Sequence, residues 1–385
     1  MGLISPFPTI HTTNTNNRYM KLHTTKEYLL QAITLAERIT GKKESLPILS
    51  CILLEAADKT LTIRATNLEA GIEITVPSTI ETSGLIAVPA SVVSQTIRSV
   101  GGDTLVLKEV EGNLLVESRG SKNLIKAIPH EEFPSLPYPR DKKGFTISRE
   151  RLLSGLQSVL YAASPSMIRP ELGSVYISIE GGNMTVVATD SFRLAEKSIP
   201  GTAKKDRAEL LIPLKHAQEL VYILERIDVD ELSLLAEESQ VAALAGPVRF
   251  VSRVVEAQFP NYKEIIPKKY TTEATLLKND FSEMLRKARV FAGNDSQVGF
   301  HVYPKRKIFT AIARSAEIGE MSDSIDTAVS GEDIDINFHI GYLADCLSVI
   351  ESDSITLGFS GAGRPLVVRG VSDASFMYLV MPLNR

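Results

Sequence analysis

Cysteine is scarce in this chain: Cys51 and Cys346 are the only two among 385 residues. Two cysteines cannot build a disulfide framework, and neither has a metal-ligating neighbour in sequence, which excludes disulfide miniproteins and structural zinc modules. A reducing compartment fits. Both lie in apolar segments, SCILL and ADCLSV, so they read as buried structural thiols. No apolar run approaches the roughly 18–20 residues of a membrane span. Charge of neither sign dominates: Lys+Arg is 42, Asp+Glu is 46, and the formal net charge is -4. That balance excludes a protein held on nucleic acid by bulk charge, and equally an acidic tail protein.

Catalytic motifs are missing too. GKKES (Gly41 to Ser45) looks like part of a phosphate loop, but that loop needs Gly where Ala36 stands and Ser or Thr where Lys43 stands. GFSGAG (Gly358, Gly361, Gly363) lies inside an expected hairpin and opens no helix, so it predicts a turn. The six histidines, His11, His23, His130, His216, His301 and His339, show no i, i+4 pairing. Asp190–Ser191 lacks the Gly-x-Ser-x-Gly frame of a hydrolase and has no histidine near in sequence. The acidic pairs Glu131–Glu132 and Glu237–Glu238 adjoin turns and read as solvated surface.

At roughly 100–200 residues per domain, the length predicts two to four domains. Residues 1–19 stand apart. They are rich in Thr, Asn and Pro, have no signal-peptide pattern, and put Pro6 where an N-myristoylation motif requires Ser or Thr. A disordered extension is expected there, with Met20 as the natural start.

An internal repeat organises the rest. A strand followed by a polar turn recurs around Thr66, Thr189 and Ser315, at steps of 123 and 126 residues. A strand running into a helix recurs at Pro89, Pro213 and His339, at steps of 124 and 126. A closing hairpin recurs as DTLVLKEVEGNLLVESR, DELSLLAEESQVAALAG and DSITLGFSGAGRPLVVRG. Three marks sharing one period predict tandem domains at 20–139, 140–267 and 268–385. HEEFPSLP and EAQFPNYKEIIP close the first two copies and read as linkers. Each copy opens with a helix: a capping box Thr24–Glu27 before YLLQAITLAERI, then SRERLLSGLQSVLYA with Leu152, Leu156 and Leu160 four apart, then NDFSEMLRKARVF. Short alternating segments such as TLTIRAT, VYISIE and TVVAT read as antiparallel strands. The fold class is α+β, with two helices and about eight strands per copy.

Three equal units without an active site suggest a scaffold, and units joined head to tail close into a ring if the rotation closes. Basic residues accompany the expected helices: Lys26, Arg38, Lys42, Lys43, Arg98, Arg149, Arg151, Lys215, Arg226, Arg286, Lys287 and Arg289. Ordinary solubilising charge explains them equally well, because Glu27, Glu37, Glu150, Glu219 and Glu225 share those helices. A modest stripe suits a weak, salt-sensitive, sequence-blind hold on DNA, with topology supplying retention.

From Met20 to Arg385 the chain resembles the bacterial DNA polymerase III β subunit, or sliding clamp, family. The motifs are LPIL (Leu46 to Leu49), VATDSFRLA (Val187 to Ala195) against the family's A-T-D-G-H-R-L-A, FPNYKEIIP, and the terminal VMPLNR. The resemblance implies a three-domain protomer, a head-to-tail homodimer with six domains in a ring around double-stranded DNA, and no catalysis or cofactor. It implies as partners the polymerase III α subunit, the clamp loader and other proteins carrying a short motif with Gln, Leu and an aromatic residue, in the cytoplasm and away from membranes. That motif would dock between domains two and three, at Leu172, Thr189, Ser191, Phe192, Arg193, Leu194, Pro260, Glu264, Ile265, Leu379 and Met381. Leu172, Leu194, Ile265 and Met381 would form an apolar cleft, while Thr189 and Arg193 would fix a peptide backbone or carboxylate. Two positions depart from the family: Phe192 replaces a His, and Glu264 stands where a basic residue is common. Lys43, Arg98, Arg149 and Lys215 would line the DNA path, and Val290 and Phe291 would make the subunit contact. A peptide-binding scaffold that ignores DNA and an enzyme with an unrecognised site are the alternatives; retention on circular against linear DNA separates the first of these from a ring.

Overall fold

The computed structural model describes residues 19–41, 46–136, 138, 144–201 and 208–383. The expected extension (residues 1–19) therefore lies outside the described residues except for Tyr19, and Lys43 lies outside them as well. The chain divides into two compact units, one up to Leu136 and one from Pro137 onward.

Six α-helices occur among the described residues: α1 (Lys26–Ile39), α2 (Ala90–Ser99), α3 (Arg149–Gln157), α4 (Leu214–Leu224), α5 (Lys278–Phe291) and α6 (Ile340–Asp345). The even-numbered helices begin directly after Pro89, Pro213 and His339. A proline or a capping side chain ends the preceding strand there and leaves the first helical N–H groups free for the turn.

The three odd-numbered helices share one anchoring device. The first residue of each donates its backbone N–H to an aspartate carbonyl: Lys26 to Asp103 (2.8 Å), Arg149 to Asp230 (2.9 Å), Lys278 to Asp353 (2.8 Å). Its side chain then reaches a carbonyl at the carboxyl end of the partner helix or, in the third copy, just past the 3-10 turn Cys346–Ser348 that follows it. Lys26 Nζ donates to Val100 O (2.5 Å), Arg149 Nη1 to Leu224 O (3.0 Å), and Lys278 Nζ to Ile350 O (2.6 Å). A cation on carbonyls at a helix C-terminus complements the helix dipole, and in each copy the side chain clasps the first helix to the segment that ends the second.

Two helix expectations need correction. No capping box forms at Thr24–Glu27: α1 has Thr25 at its N-cap with no side-chain bond, because Thr24 and Thr25 finish the strand Lys21–Thr25 and Thr24 Oγ1 donates to Pro77 O (3.4 Å). The helix of copy two ends at Gln157, so Leu160 falls in the short 3-10 turn Leu160–Ala162. Ser148 caps that helix, accepting from the Arg151 N–H.

The described residues of the first unit hold eight antiparallel strands. Along the sheet they run Ser121–Ile125, Asn113–Ser118, Thr104–Val110, Lys21–Thr25, Ala70–Thr82, Thr60–Thr66, Cys51–Ala57 and Gly84–Pro89. Ala70–Thr82 is long enough to serve two neighbours: residues 71–77 pair with Thr60–Thr66, and residues 78–82 with Lys21–Thr25. Helices α1 and α2 pack together, with Leu29, Ile33, Ala36, Val93 and Ile97 buried. Ile48, Leu49 and Cys51 form a smaller apolar cluster with Leu53 and Ala87, which takes in the second half of the LPIL motif, while Leu46 and Pro47 stay exposed.

In the second unit, nine strands run Ala208–Pro213, Ser174–Glu180, Asn183–Thr189, Arg193–Pro200, Phe376–Val380, Leu366–Gly370, Ser354–Phe359, Thr272–Leu277 and Ala328–Gly331. This sheet joins copies two and three, because Arg193–Pro200 pairs with Phe376–Val380, Leu194 opposite Leu379. A four-stranded sheet of copy three runs Gly319–Ile325, Ile308–Ser315, Gln297–Tyr303 and Ile334–His339. Phe281 of α5 packs there on Phe300 and Phe309, with ring centroids 5.8 and 6.4 Å away. Each fully buried Phe contributes about 1.5–3 kcal/mol. The expected closing hairpins are present in all three copies. GFSGAG is the turn of the third, with Gly361 and Gly363 at φ +106 and +73.

Candidate functional site

The turn Thr189–Arg193 is built by its own side chains. Thr189 Oγ1 donates to Arg193 O (2.7 Å) and accepts from the Ser191 N–H (3.3 Å). Asp190 Oδ1 accepts from the N–H groups of Phe192 (2.9 Å) and Arg193 (3.0 Å). Ser191 consequently takes φ +80, and Phe192 is pushed into solvent, 59% exposed. Copy one repeats this design. Thr66 Oγ1 donates to Ala70 O (2.8 Å), Asn67 Oδ1 accepts from the Glu69 and Ala70 N–H groups, and Leu68 has φ +76. An Asp or Asn in second place, aimed back at the chain, is what lets the strands reverse so tightly.

Behind this turn lies the apolar cluster of Val187, Leu194, Leu211, Phe259, Tyr262, Val367, Met377 and Leu379, with Met381 packed against it. The linker that carries Pro260, Glu264 and Ile265 is anchored by its own aromatics. Phe259 stacks on Tyr176 at 4.7 Å and meets Tyr262 edge-on at 6.0 Å. Burial, then a hydrogen bond with Glu196, push the Tyr262 phenol well above its ordinary range. The backbone N–H of Met381 donates to Phe192 O (2.8 Å), fastening the C-terminal strand to the turn.

The eleven candidate residues therefore divide into floor and rim. Leu172, Leu194 and Leu379 are 5%, 0% and 1% exposed, and Leu194 and Leu379 form the floor as part of the cluster behind the turn. Thr189 is buried and committed to the turn. Pro260 and Met381 are half-buried, while Phe192, Ile265 and Glu264 stand at the surface. Glu264 accepts from Asn261 Nδ2 (2.6 Å). The apolar cleft expected from Leu172 and Leu194 is thus closed at those two positions, and the apolar groups within reach of a ligand are Phe192, Ile265, Pro260 and Met381.

Arg193 is already engaged within the chain. Its Nε donates to Asp190 Oδ2 (3.0 Å), its Nη1 bonds Asp345 of α6, and its guanidinium lies 4.5 Å from the Tyr342 ring centroid. Burial alone would lower its pKa; Tyr378, Asp345 and Asp190 together outweigh that and raise it. It is a permanent cation already engaged by two carboxylates. Tyr161, Tyr342, Tyr378 and Asp345, which surround it, escaped sequence reasoning because they lie far away along the chain. The available signal was Asp190, in register with Asn67 one repeat earlier.

The remaining candidates are dispersed. Arg98 and Lys215 are exposed on α2 and α4. Arg149 gives its guanidinium to Leu224 O and Val229 O, so it serves the helix clasp. On α5, Val290 is 61% exposed and Phe291 half-buried. They sit beside Gly319–Ile325, to which α5 is tied by Lys287–Asp323 (2.8 Å). No group of three or more His, Cys, Asp or Glu side chains able to hold a metal occurs among the described residues, and no helix there is long and apolar enough to cross a membrane.

Comparison with known proteins gives consistent matches along the chain. Family models for the DNA polymerase III beta subunit match in order: the N-terminal domain at residues 20–137, the central domain at 146–261 and the C-terminal domain at 263–384. The beta sliding clamp of Bacillus subtilis strain 168 is 28% identical over 381 residues, covering 95% of this chain and 100% of that one. That of Escherichia coli K12 is 25% identical over 374 residues, with the same coverage. The crystal structure of the DNA polymerase III beta subunit from Thermotoga maritima superposes with a TM-score of 0.90 at 26% identity, covering 95% of this chain and 100% of that one. The chain belongs to the DNA polymerase III beta subunit family and has its three-domain clamp fold.

Proposed function

We infer that the chain is a DNA sliding clamp, a non-catalytic processivity subunit that encircles duplex DNA and tethers the replicative polymerase to it. The observation that carries this reading is the ordered match of all three family domains across residues 20–384. We place its domains at 20–139, 140–267 and 268–385, and its work in the cytoplasm.

The repeat supports a homodimeric ring. Inside the second unit, Arg193–Pro200 of copy two pairs with Phe376–Val380 of copy three. One repeat later, Gly319–Ile325 holds the place of Arg193–Pro200 and ends its sheet. In copy one, Ser121–Ile125 holds the place of Phe376–Val380 and also ends its sheet. An edge strand offers unpaired N–H and C=O groups, and two chains head to tail satisfy both edges twice. Val290 and Phe291 would add apolar contact beside that seam. The test is solution mass: light scattering at micromolar concentration should give twice the 42.1 kDa of one chain, and a monomer would contradict the ring.

Client proteins, among them the polymerase α subunit and the clamp loader, would dock at the rim formed by Phe192, Pro260, Ile265 and Met381, over the floor of Leu194 and Leu379. The exposed cations Arg98 and Lys215, together with Lys43, would meet DNA phosphates. Phe192 favours an apolar client side chain at its position, and Glu264 favours a basic one.

A further inference from the structure

Arg193 sits where three things meet: the pocket turn, helix α6 and the stack of rings on that helix. The turn belongs to copy two and α6 to copy three. The Arg193–Asp345 pair joins them, and Lys197–Asp373 (3.0 Å) joins the same two copies further along the strand. Tyr342 takes the Arg193 guanidinium near one face and contacts the His339 ring at 4.4 Å between centroids. His339 in turn is the N-cap of α6: its Nδ1 accepts the Tyr342 N–H at 3.3 Å. The chain of contacts runs from Phe192 and Arg193 through Tyr342 to the acceptor nitrogen that starts the helix.

Resting on the client-pocket reading above, we propose that Arg193 and His339 are positioning residues for client binding: Arg193 holds the turn on α6 without touching the client, and the protonation state of His339 sets how firmly α6 holds Arg193. The physical argument has two parts. Nδ1 can accept from Tyr342 only while it carries no proton; a protonated imidazole has two donors and no acceptor, so the cap of a six-residue helix is lost. Protonation also places a second cation beside Arg193. The charged and titratable groups facing His339 are Arg193 from the turn, Arg289 from α5, and Asp345 and Tyr342 from α6. Two cations against one carboxylate oppose the added charge.

The direction in pH follows. Burial first, then Arg193, hold His339 below its ordinary value of 6.5. A histidine depressed in the folded state contributes its stabilisation above 6.5 and loses it as pH falls through the folded value. At neutral pH the cap is therefore formed and the turn is held; in mild acid both weaken, and the client rim of Phe192 and Met381 loosens with them.

The test uses the full-length protein and an acetylated Gln-Leu-Ser-Leu-Phe peptide in calorimetric titrations at pH 7.5 and 5.5. The parent should bind at least about threefold more weakly at pH 5.5. His339→Asn, which keeps a capping acceptor and removes the titration, should bind equally at both. Asp345→Asn should weaken binding at pH 7.5 by a similar factor. An arginine that contacted the client directly would be freed by that change and would bind as well or better. Hydrogen exchange gives a second readout: the Tyr342 amide of the parent should lose protection in acid beyond the intrinsic pH effect, and that of His339→Asn should not. A parent-like pH dependence in His339→Asn, or undiminished binding by Asp345→Asn, would overturn the inference while leaving the pocket intact. Failure of the parent to bind the peptide at pH 7.5 would overturn the pocket and the inference together.

Discussion

Ser191 holds a backbone conformation, φ +80, that L-residues avoid. The family motif quoted above has Gly at this position. Ser191→Gly should therefore raise stability by about 0.5–1 kcal/mol, read as a higher denaturant midpoint at unchanged slope; a lower midpoint would mean that the Ser191 contacts outweigh the strain. The floor and the rim respond differently. Leu194→Ala removes a side chain that is 0% exposed, so it should cost about 2–5 kcal/mol of folding stability before any client is added. Ile265→Asp changes a side chain that is 50% exposed; it should leave thermal unfolding within about 0.5 kcal/mol of the parent and weaken client peptide binding severalfold. Equal peptide affinity for Ile265→Asp and the parent would remove the linker from the site. At this scale the sequence was half legible. The polar turn announced itself through Asp190 and its echo at Asn67. The division into floor and rim did not, because Leu194 and Ile265 look alike as residue types and differ only in which side of the sheet and linker they meet. The Arg193–Asp345 pair was hidden for the same reason: the two residues lie 152 positions apart.

Helices and strands were more legible, since periodicity and punctuation are local. Pro89, Pro213 and His339 marked three helix starts, and the three hairpins paired as their alternation predicts. The capping box failed because Thr24 and Thr25 were already used by a strand. What no local pattern revealed is the clasp of Lys26, Arg149 and Lys278. Lys26 and Arg149 read as free positive charge and Lys278 drew no attention, yet each binds a carbonyl at or beyond the end of its partner helix. Lys278→Met should keep the aliphatic stem, leave the Ile350 carbonyl without its cation, and lower stability by about 1–2 kcal/mol. Chemical denaturation measures it, and an unchanged midpoint would show that water replaces the lysine at no cost. The clasp also narrows the cations proposed to meet DNA: Arg149 is spent on structure, while Arg98 and Lys215 remain exposed.

For the whole molecule, the account rests on closure. Three domains per chain make a ring only if the bare edges of copies one and three meet between two chains. Phe291→Asp would put a carboxylate beside that seam, where burial of an unpaired charge is costly. The variant should sediment as a monomer with parental circular dichroism, and an unchanged dimer would take Phe291 out of the contact. Threefold repetition was readable from the sequence, because a period near 125 residues survives even where single positions diverge. Ring closure was readable only as an implication of the family resemblance; the folded chain adds two sheet-ending strands, Ser121–Ile125 and Gly319–Ile325, on which the proposed pairing rests. Retention on DNA tests the central claim most directly. Protein assembled on a nicked circular plasmid by a clamp loader, then separated from free protein by gel filtration in high salt, should stay with the circle. It should be lost once a single restriction cut gives it an end to slide from. Equal loss from circular and linear DNA would contradict an encircling clamp and leave a surface binder.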